Sequence, residues 1–231
     1  MTKTLSQGRY LHAKFLLHLI IAVTGIISVP LHILFSPDPS VSVTKFTIHS
    51  NIIVAIVFIV SAFVLLTKKQ ENNGLDLCKN AALIYMIIVL TTYHFILSSG
   101  GEYSGIRIIT NFTLHYFTPI LILLNWMIFE EKKWYSYKSI AFWLAFPIIY
   151  GVVSLLRGAY DGFYPYFFLN PNNPIPDGFG SYINVSFVIA GFTFVYCILG
   201  FLLIIINRGV LRFERAKQLR KYKKDNVIGM K

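Results

Sequence analysis

Acidic residues are scarce in this chain, and charge of either sign is missing from most of its length. Ten Asp and Glu stand against 21 Lys and Arg in 231 residues. None of these falls within six long apolar stretches, Phe15–Phe35, Thr47–Leu66, Ala81–Leu97, Phe112–Phe129, Ile140–Leu156 and Ile183–Ile206. There are only two cysteines, Cys78 and Cys197, with no CxxC pair and no Cys/His metal spacing. That excludes a disulfide-stapled scaffold and a zinc module. No nucleophile elbow, HExxH, Walker or Rossmann motif is present, so the soluble-enzyme chemistries those motifs carry are not indicated. Internal repeats and low-complexity segments are absent, which argues against solenoids and arrays. The longest segment between stretches, Gly158–Tyr182, has 25 residues and is too short for a second folded domain.

What remains is the set of apolar stretches. Each holds 17 to 24 residues, and a helix needs roughly 20 to cross a hydrocarbon core of about 30 Å. In lipid every backbone polar group must be paired within its own segment, so these are helices. β-barrel strands would be shorter and would alternate in polarity. The expected fold class is therefore all-α: one polytopic bundle of six transmembrane helices over residues 1–231, ending in a basic tail from Arg208 to Lys231. The first stretch is too long for a signal peptide, and no small-residue cleavage site follows it, so it reads as a retained helix.

The basic residues set an orientation. Lys3, Arg9 and Lys14 precede the first stretch, Lys68, Lys69 and Lys79 follow the second, Lys132, Lys133 and Lys138 follow the fourth, and nine lie in the tail. Only Lys45, Arg107 and Arg157 fall on the other side. The positive-inside rule then places both termini in the cytoplasm. The net charge of +11 sits where anionic headgroups can meet it, so the expected partners are membrane lipids and not nucleic acid. The tail is expected to continue as a helix near the inner surface.

Given that orientation, polar residues from five helices reach one layer in the outer half: His32, then Thr47 with Ser50 and Asn51, then His94, then Asn111 and His115, then Arg157 with Asp161 and Tyr164 just beyond. Thr47, Ser50, Asn51 and Val54 share one helical face by their spacing. Asn111, His115, Thr118 and Asn125 share another, while His49 faces elsewhere. Polar groups in hydrocarbon need partners inside the bundle. Taken singly, such residues serve as packing glue between helices. Taken together, they point to an outer-half cavity.

The chemistry that such a layer offers is nucleophilic. A Thr hydroxyl becomes a nucleophile when a neutral imidazole takes its proton, which makes Thr47 and His115 the catalytic candidates. Asn51, Asn111 and Arg157 are candidate donors to an oxyanion. No carboxylate lies within a stretch to orient the histidine, so Asp161 or the Asn111 side chain is expected to take that role. His94 and Tyr164 are further candidates for a binding, oxyanion or orienting role. A zinc site of His32, His94 and His115 is conceivable from three-ligand chemistry, but the spacing does not indicate it, and no metal or cofactor is expected.

Three segments carry a family resemblance. They are Lys45-Phe-Thr-Ile-His-Ser-Asn51, Asn111-Phe-Thr-Leu-His115 with Pro119, and Gly158 to Pro171 with the run Gly162-Phe-Tyr-Pro-Tyr-Phe-Phe-Leu169. With six spans and this length, the chain resembles the bacterial family of predicted six-transmembrane proteins. That family is similar in turn to the animal androgen-induced-gene and androgen-dependent tissue-factor-pathway-inhibitor-regulating family of membrane threonine hydrolases. The resemblance implies a bacterial plasma-membrane location, a fatty-ester substrate, and a Thr–His pair that falls on Thr47 and His115. The aromatic run can form an interfacial belt or a lid admitting an acyl chain sideways. A non-enzymatic lipid-binding or transport protein is the other reading of the same cavity. Pro30, Pro119 and Pro147 interrupt helices as in transporters, and a polar route toward His18 would favour that reading.

Overall fold

A computed structural model of the chain describes residues 2–67, 71–100 and 103–228, so Lys68, Lys69 and the end of the basic tail lie outside the described residues. Among the described residues there is no β-strand, and six helices are long and apolar enough to cross a membrane: Gly8–Leu34, Phe46–Leu66, Asn73–Leu97, Ile106–Ile128, Lys138–Asp161 and Tyr182–Arg220. They are called here the first to sixth spans. Their outward faces are apolar, with Ile27, Ile56, Phe63, Val153 and Phe187 all exposed. Water would not tolerate so much contiguous apolar surface on a monomer, whereas lipid favours it. The chain is an integral multi-pass membrane protein in character.

The first four spans pack on one another, and the fifth and sixth form a pair against the third. The third span is therefore the central post. Its segment Ala81–Met86 is buried throughout, and the main core joins it to Ile21, Val54, Phe58, Ile122, Trp143 and Ile204. The first and second spans cross closely at Gly25. A Cβ there would lie 2.9 Å from the Ala55 Cβ and 3.1 Å from the Asn51 carbonyl, so glycine is what allows the approach.

Several spans extend beyond the charge-free stretches. The third starts at Asn73 and takes in Asp76 and Lys79. The fourth starts at Ile106 and takes in Arg107. The sixth helix runs unbroken from Tyr182 to Ile228, so the tail continues it as expected. Charge is tolerated in the third span because it is neutralised. At this end of the bundle Lys79 contacts Glu71 at 2.8 Å, Asp76 at 3.2 Å and Glu130. Lys14 contacts Glu71 at 2.6 Å, and Lys133 contacts Asp76. His18 joins this network, with Nε2 2.9 Å from the Asn125 side-chain oxygen and Nδ1 3.0 Å from the Ser61 hydroxyl.

Two π-turns, Tyr93–Leu97 and Thr113–Phe117, interrupt the third and fourth spans at the opposite end. The second has a local cause. Pro119 has no N–H to give to the His115 carbonyl, and the Thr118 N–H reaches back five residues to Thr113. Such wide turns concentrate at functional sites, and this one carries His115.

Candidate active site

Thr47 lies in the first turn of the second span, and its hydroxyl is 3.2 Å from His115 Nε2. Both side chains are buried. The other ring nitrogen, Nδ1, is 3.0 Å from the Asn111 carbonyl. A carbonyl only accepts, so the neutral ring carries its proton on Nδ1 and leaves the Nε2 lone pair to receive the Thr47 hydrogen. Tyr93 stacks on the imidazole at 3.9 Å between centroids, and its hydroxyl accepts from the Asn111 amide at 2.6 Å. The ring is thus held by a hydrogen bond at one edge and an aromatic face at its side.

The polar stripes expected from helical spacing are buried as expected: Thr47, Ser50 and Asn51 on one span, Asn111, His115, Thr118 and Asn125 on the other. Asn51 does not face the hydroxyl. Its amide donates to the Thr47 carbonyl at 2.9 Å and the Leu114 carbonyl at 3.3 Å, which ties the two spans together behind the pair. Asn111 orients His115 through its backbone and not its side chain.

The remaining candidates are elsewhere. His94, within the wide turn Tyr93–Leu97, is exposed and bonds Tyr116 at 3.2 Å. Arg157 forms a surface ion pair with Asp161 at 3.1 Å and covers the Phe163 ring, so neither reaches Thr47. Tyr164 packs over Gly158, where a Cβ would lie 2.1 Å from its ring. It serves the aromatic segment and not the pair. His32 bonds Thr110 at 3.0 Å and faces Arg107 at 3.4 Å. With His94 turned outward, the three histidines do not converge on a metal.

Residues not singled out from sequence complete the site. Tyr166 accepts the Phe46 N–H at 3.0 Å, satisfying one of the helix-start amides that have no partner of their own. Burial pushes its phenol up to about 12, so its proton stays available to donate. Two cavities meet at Thr47, Tyr93, Leu97 and Tyr166. One, of about 460 Å³, is lined by polar groups including His32, Lys45, Tyr103, Arg107 and His115. The other, of about 160 Å³, is apolar and runs between the third, fifth and sixth spans past Ile88, Pro147 and Phe192.

His18 makes an instructive contrast. It is fully buried, both nitrogens are engaged, and it lines neither cavity. Core residues Ile21, Val54, Phe58 and Ile122 occupy the bundle's middle. No family model, no curated protein and no solved structure matches this chain.

Proposed function

We propose that the chain is a membrane-embedded ester hydrolase with Thr47 as nucleophile and His115 as base. The observation that carries this is the 3.2 Å contact between hydroxyl and imidazole at the wall of a cavity, with the tautomer set by the Asn111 carbonyl. Thr47 Oγ1 attacks the ester carbonyl as His115 Nε2 takes its proton. The tetrahedral oxyanion is met by the Tyr166 hydroxyl and the helix-start amide of Thr47, where the helix dipole favours negative charge. Collapse expels the alcohol, which takes the proton from His115. A water then gives a proton to His115 Nε2 and attacks the acyl-threonine; as the tetrahedral species collapses the bond to Thr47 Oγ1 breaks, His115 returns the proton to that oxygen, and the acid leaves.

The wider assignment follows the same reading. The pair lies in the outer half of a bacterial plasma-membrane protein with cytoplasmic termini, since the basic residues crowd the other end. The resemblance to membrane threonine hydrolases supports the same two residues. Buried Thr118 and Asn125 lead from His115 toward His18, but His18 lines neither cavity that meets Thr47, which favours this reading over transport.

A fluorophosphonate probe tests the proposal. The unaltered protein in detergent should be labelled at Thr47, and Thr47→Ala and His115→Ala should each lose at least about 100-fold in labelling rate. Equal labelling of folded variants would remove the reading.

A further inference from the structure

Two cations, Lys45 and Arg107, face the larger cavity, and among the described residues no carboxylate pairs with either. Lys45 donates to the Pro165 carbonyl and lies over the Tyr166 ring at 4.7 Å. Arg107 faces His32 at 3.4 Å and the Tyr103 ring at 5.0 Å, and its Nε is buried with no partner. Asp38 lines the same cavity, but its side chain accepts from the Val41 amide at 3.0 Å and the Ser40 hydroxyl at 2.6 Å, capping a short helix. Burial pushes the Lys45 pKa down, as expected of a cation removed from water. Such an arrangement is costly unless an anion completes it.

We infer that Lys45 and Arg107 form a subsite for the phosphate of a glycerophospholipid, whose acyl ester reaches Thr47 and whose acyl chain enters the apolar cavity. This rests on the hydrolase reading for the role of Thr47, but the binding itself does not need turnover. A cationic chamber on one side and an apolar slot on the other meet at one threonine. A glycerophospholipid carries an anion a few bonds from an ester carbonyl that begins a hydrocarbon chain. Ile148 and Val152 line the slot and are about half exposed on the outside of the fifth span, which lets a chain enter from the bilayer.

The experiment uses the full chain carrying Thr47→Ala, so that bound lipid is not consumed. Equilibrium binding of short-chain phosphatidylglycerol is compared with that of the diacylglycerol of equal chain length and with inorganic phosphate. The phospholipid should bind at least about tenfold more tightly than either. Adding Lys45→Gln or Arg107→Gln should each remove most of that advantage, because a charge-assisted hydrogen bond is lost. Lys45→Arg should retain it, and Arg157→Gln, a cation outside both cavities, should leave it unchanged. Equal binding of phospholipid and diacylglycerol would overturn the subsite without requiring any second variant. Phosphate binding as tightly as the phospholipid would overturn the lipid as its source. Tight, charge-dependent binding in a protein whose Thr47 does not label with fluorophosphonate would leave the subsite standing and remove the hydrolase.

Discussion

Tyr93 positions the proposed pair without a proton-transfer role of its own. It covers one face of His115 and holds the Asn111 side chain, whose own residue supplies the carbonyl that fixes the tautomer. Tyr93→Leu should therefore lower the fluorophosphonate labelling rate by about 10- to 100-fold, since small misplacements of a base are that damaging. The thermal midpoint should fall only modestly. A rate within twofold of the parent would show that the ring positions nothing. That the Thr47 and His115 side chains meet was legible in the sequence, because relative position along each span and helical face are both readable from it. His94 and Arg157 share that level but point away, because level does not fix how a helix is rotated about its axis or what a wide turn does to it. Tyr166 and Tyr93 could not be separated from an aromatic-rich composition by pattern alone. Arg107 is one of three cations on the sparsely charged side, and that isolation is the sequence signal for it.

At the level of elements, the crossing of the first two spans controls the pair. Gly25 abuts Ala55 and the carbonyl of Asn51, and Asn51 bonds the backbone of Thr47 and Leu114. Gly25→Val would push those spans apart. It should cost about 1–3 kcal/mol by overpacking, read as a lower thermal midpoint in detergent, and should weaken labelling at Thr47 although it touches neither member of the proposed pair. A variant with unchanged stability would mean the crossing is looser than its distances imply. Span existence and order were legible from hydropathy. Span limits were not, because trimming each stretch at its first charge discards helix turns whose charges are neutralised by partners distant in sequence. Lys79 is the clearest instance: its neighbours Glu71 and Glu130 come from two different connections, which no local pattern reveals.

For the molecule as a whole, the charged network around Lys79 joins the first, third and fourth spans and the segments beside them. Lys79→Met would leave Glu71, Asp76 and Glu130 short of a buried cation and should destabilise the protein by about 3–5 kcal/mol, seen as a loss of thermal midpoint without loss of helical signal before melting. The same network sets an acid limit. Burial pushes the Glu130 carboxyl up, but its His18 hydrogen bond and the Lys79 and Lys14 charges outweigh this and hold it well below its ordinary 4.5. Burial likewise opposes, and Lys79, Lys14 and Ser61 lower, the pKa of Glu71. A carboxyl depressed in the folded state contributes stability that is complete above its unfolded value and is lost as pH falls toward the folded one. The thermal midpoint should thus hold down to about pH 5 and decline below that, and a flat profile to pH 3 would contradict the assignment. At the other end, the meeting of a wet chamber and an oily slot at one hydroxyl has a consequence for the proposed hydrolysis. The severed halves of a substrate would depart into different phases, the acid sideways into the leaflet and the alcohol into the aqueous medium. Recombination would then be slowed by partition alone, with no moving gate required to keep the reaction running forward.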